Sequence, residues 1–205
     1  MSALKLGVLV SGSGSNLQVI LDHCSNGTLP AVVSVVISDK TDAFALQRAE
    51  EAGVAGVRID RKDFDSAEGY NQRIAEVLKE HHVELVVMAG YMRLLGKEVL
   101  GAFPNRVLNL HPALLPSFPG AHGISDALFY GVKVTGVTVH FANEVFDEGP
   151  IILQEAIPVE DDDDEDSLSE KIHAVEHRVL PEVIRLYAEG RLKIDGRRVL
   201  VLSGE

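Results

Sequence analysis

Little in this sequence suits a disulfide scaffold, a membrane or a nucleic acid. The one cysteine, Cys24, cannot close an internal bridge, which points to a reducing compartment and a buried structural thiol. No apolar run approaches the ~20 residues needed to span a bilayer. Only Met1-Ser-Ala-Leu-Lys5 precedes the first apolar run, too little for a signal peptide, so a cytoplasmic protein is expected. Basic residues are scarce: 19 Lys and Arg face 31 Asp and Glu, a formal charge of −12. That balance speaks against a nucleic-acid surface. Much of the excess is the block Glu160–Asp166, which reads as a solvated loop. A contiguous acidic run seldom converges on one ion, and no metal is expected.

What is present is an ordinary globular composition, 46% hydrophobic and 24% charged over 205 residues, enough for one domain with a full core. Apolar runs at 6–10, 31–37, 57–59, 85–88 and from Val107 onward read as strands. Helical spacing separates them at 17–23, 43–51, 67–81 and 97–102. This alternation specifies an α/β fold with a parallel sheet. Further on, a short helix is expected at 125–130, and strands at 134–142 and 151–157 that pair antiparallel at the sheet edge. Ser167-Leu-Ser-Glu170 reads as a capping box opening a long helix to Ala188. A C-terminal hairpin then joins 192–194 to 199–202 around Asp195-Gly196.

Chemistry concentrates in a few places. Ser11-Gly-Ser-Gly-Ser-Asn16 joins a strand to a helix, where backbone N–H groups and the helix dipole favour an anion. Leu17 stands at the third glycine position of a dinucleotide fingerprint, and no Gly-Lys-Ser/Thr follows. A phosphate-sized cradle at Gly14, Ser15 and Asn16 or a plain tight turn both remain open. In Val107–Gly120, Asn109 and His111 alternate along a strand and so share a face. Pro112, Pro116 and Pro119-Gly120 stiffen the loop beyond that strand. The other seven histidines read as structural or exposed; His140 could point into a pocket from its strand, with core or edge packing the plainer reading. Asp147, in Phe146-Asp-Glu-Gly-Pro150, lies on a turn that could return to the same edge; as a neighbour of His111 it would raise the imidazole pKa. A simple turn former is the competing reading.

Together Ser11–Asn16, Ala89-Gly-Tyr-Met-Arg-Leu-Leu95, Asn109–Gly120 and Thr138-Val-His-Phe through Asp147–Ile152 resemble the phosphoribosylglycinamide formyltransferase family of folate-dependent enzymes. The resemblance implies a single Rossmann-like formyltransferase domain over 1–205, a mostly parallel twisted sheet flanked by helices with an antiparallel edge near the C-terminus. It implies transfer of the formyl group of 10-formyltetrahydrofolate to the amine of phosphoribosylglycinamide in purine biosynthesis. Asn109, His111 and Asp147 would be catalytic. Gly14, Ser15, Asn16 and Glu176 would bind the ribonucleotide. Met92, Arg93, Leu94 and Leu95, with Asn109, would bind the folate. Packing of the 92–95 loop on the sheet, and a solvated helix face for Glu176, are the plain alternatives. Ala67 and Gly123-Ile-Ser125 depart from basic residues and a His-Arg pair seen in some members.

The implied reaction is direct acyl transfer through a tetrahedral intermediate. Asn109 and a His111 kept protonated by Asp147 would donate to its oxyanion, with no metal and no covalent intermediate. Ribonucleotide and folate are the expected partners, without nucleic acid or membrane, in a monomer or weak homodimer. A hydrolase or a tRNA formyltransferase would carry further domains. A nicotinamide dehydrogenase would place Asp39 on a ribose.

Overall fold

Apolar, β-branched runs become buried strands in the first half of the chain. The computed structural model describes residues 3–204, and these divide between Leu108 and Asn109 into two units. In the first, β1 (Leu4–Val10), β2 (Ala31–Ser38), β3 (Ala55–Arg58) and β4 (Leu85–Met88) lie in the order β3-β2-β1-β4, all parallel. Helices α1 (Ser15–Ser25), α2 (Phe44–Glu51) and α3 (Ala67–Glu80) make the crossovers, and α4 (Lys97–Ala102) follows β4. Leu6, Leu9, Ile37 and Leu85 of the strands are fully buried, as are Leu17 and Ile20 of α1 and Ile74 and Leu78 of α3. Each such side chain contributes about 1.5–3 kcal/mol. With every strand parallel, the C-terminal ends share one edge, the side where α/β sheets carry ligands.

β5 (Val107–His111) carries the chain into the second unit. There α5 (Gly123–Tyr130) precedes β6 (Val134–Phe141), which pairs antiparallel with β7 (Ile151–Pro158). Helix α6 (Glu165–Ala188) packs on both strands and buries Leu168, Ile172, Val179, Leu180 and Ile184. β9 (Arg198–Val201) runs parallel to β7 and antiparallel to β8 (Leu192–Asp195).

Most expected elements form within a residue or two. β3 occupies 55–58 rather than 57–59 because it registers with Val35–Ser38 of β2, which reaches back to Ala55. Helix α6 starts earlier than its sequence suggests. Asp164 is the N-cap, accepting the Ser167 N–H at 2.9 Å, while the Asp164 N–H donates to Ser167 Oγ at 3.0 Å. The acidic block is thus partly built into a helix start. Asp163 accepts from Lys171 Nζ at 2.7 Å, and its side chain is 4% exposed. The Lys171 ammonium and the Glu160 N–H lower its pKa to about 2. Among the described residues no His, Cys, Asp and Glu group could hold a metal ion, and no helix is long and apolar enough to cross a membrane.

Candidate active site

In the first unit the β1–α1 turn leaves a helix start open. Gly14, the α1 N-cap, has φ +71, and no side chain caps the helix. A Cβ at Gly14 would lie 2.6 Å from that of Ala45, so α2 approaches too closely for another residue. Ser11 N–H donates to the Gly90 carbonyl and Arg48 Nε to the Ser13 carbonyl. First-turn N–H groups without a side-chain cap are the donors an anion uses. Ser15 is half-buried and Asn16 is buried.

The loop after β4 alternates its side chains. Tyr91 and Leu95 are buried, whereas Met92 and Leu94 are 65% and 51% exposed. The packing alternative therefore describes Leu95, which supports the loop from beneath, and not Met92 or Leu94. Arg93 Nε donates to Asp39 Oδ2 at 2.6 Å, and Met92 N–H donates to Ser11 Oγ at 3.0 Å. A cavity of about 580 Å³, lined by Ser11, Asp39, Lys62 and Arg93 among others, opens beside them. With Asp39 engaged by Arg93, the ribose role that a dehydrogenase would give it is already taken. Tyr91 and Tyr70 of α3 bond through their hydroxyls, and Gly96 N–H donates to Asn71 Oδ1 at 2.8 Å. Ala67, the first residue of α3, is exposed.

In the second unit Asn109 and His111 meet one carboxylate. Asn109 Nδ2 donates to Asp147 Oδ1 at 3.2 Å, and His111 Nδ1 stands 3.5 Å from Asp147 Oδ2. Gly120 N–H donates to that second oxygen at 2.8 Å. Asp147 adopts φ +54, a left-handed conformation that Asp tolerates better than most residues. The returning chain explains Gly149: a Cβ there would strike the Phe141 carbonyl and lie 3.2 Å from His140 Nδ1. The proline loop is fastened to the same cluster, because His111 Nε2 donates to the Phe118 carbonyl at 2.8 Å. Gly123, at the start of α5, is buried beside the Pro112 carbonyl.

His140, whose plainer reading from sequence is packing and whose alternative is a pocket, belongs here. Its Nδ1–H donates to the Phe141 carbonyl at 3.1 Å, so Nε2 accepts from Asn109 Nδ2, also at 3.1 Å. Both amide hydrogens of Asn109 are thereby engaged, one by a carboxylate and one by the His140 ring. The signal available is its spacing on β6, where Thr138 and His140 share a face; burial on both sides of that strand masks it.

The electrostatics reverse one expectation. Burial lowers the His111 pKa below the ordinary histidine value and outweighs Asp147 and the Phe118 carbonyl, which act in the opposite direction. With the side chain only 4% exposed and the carboxylate 3.5 Å away, loss of solvation exceeds the long ion pair. The ring therefore favours its neutral form more than a free imidazole does. Burial also pushes the Asp147 carboxyl up, but the adjacent His140 ring, the Gly120 N–H and, in acid, the charge His111 then carries together hold it below the usual carboxylate range.

Glu176 is buried on α6, 6% exposed, which removes the solvated-face reading. Its neighbours His173 and His177 stack with ring centroids 6.3 Å apart. Burial, then His173, lowers the His177 pKa.

Residues 4–184 match the family described as formyl transferase. The phosphoribosylglycinamide formyltransferase of Escherichia coli K12 is 39% identical over 203 residues, 96% of each chain. The enzyme of the same name from Bacillus subtilis is 38% identical over 88% of this chain and 93% of its own. The crystal structure of glycinamide ribonucleotide transformylase 1 from Symbiobacterium toebii superposes with a TM-score of 0.97 at 52% identity, covering 98% of this chain and 95% of that one. The fold is accordingly the α/β formyltransferase fold, mostly parallel, with antiparallel strands toward the C-terminus. The chain belongs to the formyl transferase family.

Proposed function

We propose that the chain is a phosphoribosylglycinamide formyltransferase. It would move the formyl group of 10-formyltetrahydrofolate to the primary amine of the glycinamide ribonucleotide, in purine biosynthesis. The observation that carries this reading is Asp147 joined to the Asn109 amide and facing the His111 imidazole. In this reading residues 1–205 act as one formyltransferase domain, cytoplasmic, as a monomer or weak homodimer, with no metal and no nucleic acid.

The roles follow from the chemistry of each group. Attack of the neutral amine on the formyl carbon gives a tetrahedral intermediate with a developing oxyanion. Asn109 supplies a donor to it by giving up the hydrogen bond to the His140 ring; leaving a ring nitrogen costs less than leaving the Asp147 carboxylate. Loss of such a donor typically costs about 10²–10³ in kcat. His111 already gives Nε2–H to the Phe118 carbonyl, so its open acceptor is Nδ1. A proton taken from the amine at Nδ1 comes to lie beside Asp147 Oδ2, which stabilises the imidazolium as it forms. As the oxyanion collapses and the bond from the formyl carbon to the folate nitrogen breaks, that proton passes from His111 to the departing nitrogen. Asp147 thus acts on the charged intermediate and does not precharge the ring.

Binding is assigned by chemistry. The uncapped α1 start at Gly14, Ser15 and Asn16 suits the phosphate, and buried Glu176 a ribose hydroxyl. Exposed Met92 and Leu94 offer an apolar face to the pterin, with Arg93 beside it and Leu95 beneath. The test is an absorbance assay of 10-formyltetrahydrofolate with and without glycinamide ribonucleotide. Amine-dependent loss of the formyl group supports the transferase; loss without the amine means a hydrolase and overturns it.

A further inference from the structure

The loop from Tyr91 to Gly96 has no regular structure and turns two large apolar side chains, Met92 and Leu94, to solvent. Such a segment would ordinarily fold down or sample many conformations. Here both of its ends are fastened to consecutive residues of α3. At the start, the Tyr91 hydroxyl pairs with that of Tyr70, the two residues being 6% and 2% exposed. At the end, Gly96 N–H donates to Asn71 Oδ1, whose own Nδ2 is held by the Ala67 carbonyl at 2.9 Å. Phe64 meets the Tyr70 ring edge-on at 5.7 Å and fixes its orientation.

Two buried hydroxyls need a reason. Phenylalanine at both positions would fill the same space without polar atoms, so the pair adds little net stability over two apolar rings. What the hydroxyls add is direction, since an O–H···O contact sets the position of one ring against the other more narrowly than packing does.

We propose that Tyr70, Tyr91 and Asn71 are positioning residues that hold the 92–95 segment as a preformed wall for the folate co-substrate. This rests on the functional reading above. A wall ordered beforehand spares the co-substrate the entropy of ordering it on binding. None of the three needs to touch the reacting atoms; they act through Met92 and Leu94.

The test is steady-state kinetics with 10-formyltetrahydrofolate and glycinamide ribonucleotide, beside thermal unfolding, for wild-type, Y91F, Y70F/Y91F, N71A and N71D. Y91F is expected to raise the folate KM about three- to tenfold, the factor carried by one neutral hydrogen bond. The fall in kcat is smaller, and the ribonucleotide KM is unmoved. It also loses stability, because Tyr70 is left with a buried hydroxyl. Y70F/Y91F recovers the stability and keeps the raised folate KM, a separation that a purely packing role would not produce. N71A raises the folate KM, and N71D, which keeps an acceptor for Gly96 N–H, lowers it again. A wild-type folate KM in Y70F/Y91F, with active wild-type enzyme, overturns the proposal alone. Absence of turnover in the wild-type overturns both the functional reading and the proposal.

Discussion

Replacing Asp147 by Asn tests the arrangement at its centre. Asn keeps the shape and tolerates φ +54, whereas Ala would add about 1–2 kcal/mol of left-handed backbone strain. The carboxylate accepts from Gly120 N–H at 2.8 Å and from Asn109 Nδ2 at 3.2 Å, one on each oxygen. An amide has one acceptor oxygen, so one of those donors must face an NH₂ group. One charge-assisted bond of about 1.5–3 kcal/mol is then lost and the other falls to about 1 kcal/mol. The expected destabilisation is roughly 2–4 kcal/mol at pH 7. Turnover should drop further, by about 10²–10⁴, because a proton on His111 loses its counter-charge. The stability difference should also depend on pH. Asp147 has a lowered folded pKa, so its contribution is complete above the unfolded carboxylate value of about 3.9. It is lost as pH falls through the lower folded value. The two proteins should converge in acid. Urea unfolding from neutral pH downward and kcat/KM from the folate assay measure both effects. Equal stability to within about 0.5 kcal/mol at pH 7, with wild-type turnover, would refute the reasoning.

Three further outcomes are expected. If neutral His111 accepts the amine proton, the acid limb of kcat/KM has its midpoint below about 6.5, the ordinary histidine value; a midpoint above it would mean that Asp147 outweighs burial. The same lowered pKa makes the His111 contribution to stability complete above about 6.5 and lost as pH falls through the folded value. Gly149→Ala places a Cβ against the Phe141 carbonyl and should cost about 1–3 kcal/mol by overpacking, with kcat reduced as Asp147 shifts; unchanged melting and turnover would contradict the close approach. Asp163→Asn should flatten acid unfolding between about 3.9 and the folded pKa of about 2, and a curve identical to wild-type would mean that Lys171 and the Glu160 N–H do not hold that carboxylate.

The parts of the fold set by short-range pattern are legible in the sequence. Alternation along β5 is enough to put Asn109 and His111 on one face, and apolar runs locate β1, β2 and β4. The start of α6 is not legible in the same way, because Asp163, Asp164 and Ser167 can all cap a helix, and only tertiary geometry selects Asp164. His140 escapes because a strand buried on both faces shows no polar side by which to judge its direction. The protonation of His111 depends on a competition: sequence suggests the neighbouring charge, but burial is a property of the folded surroundings, and burial wins. The return of Asp147 requires a left-handed residue and a glycine at 149, each with an innocent reading as a plain turn.

The segment from Pro112 to Gly120 has a consequence for how this protein can change over time. Prolines stiffen it, but its fastenings lie elsewhere. The His111 ring holds the Phe118 carbonyl, and Asp147 holds the Gly120 N–H. Thr138 Oγ1 accepts from Leu115 N–H and donates to the Ala113 carbonyl, while Gln154 donates to the Leu115 carbonyl. The groups that would handle the reacting proton are therefore also struts of the loop beside them. A lineage released from the need for the reaction could not discard His111 or Asp147 freely, since local order would go with them. Decay of activity in such a descendant should begin at the binding surfaces and reach these two residues last.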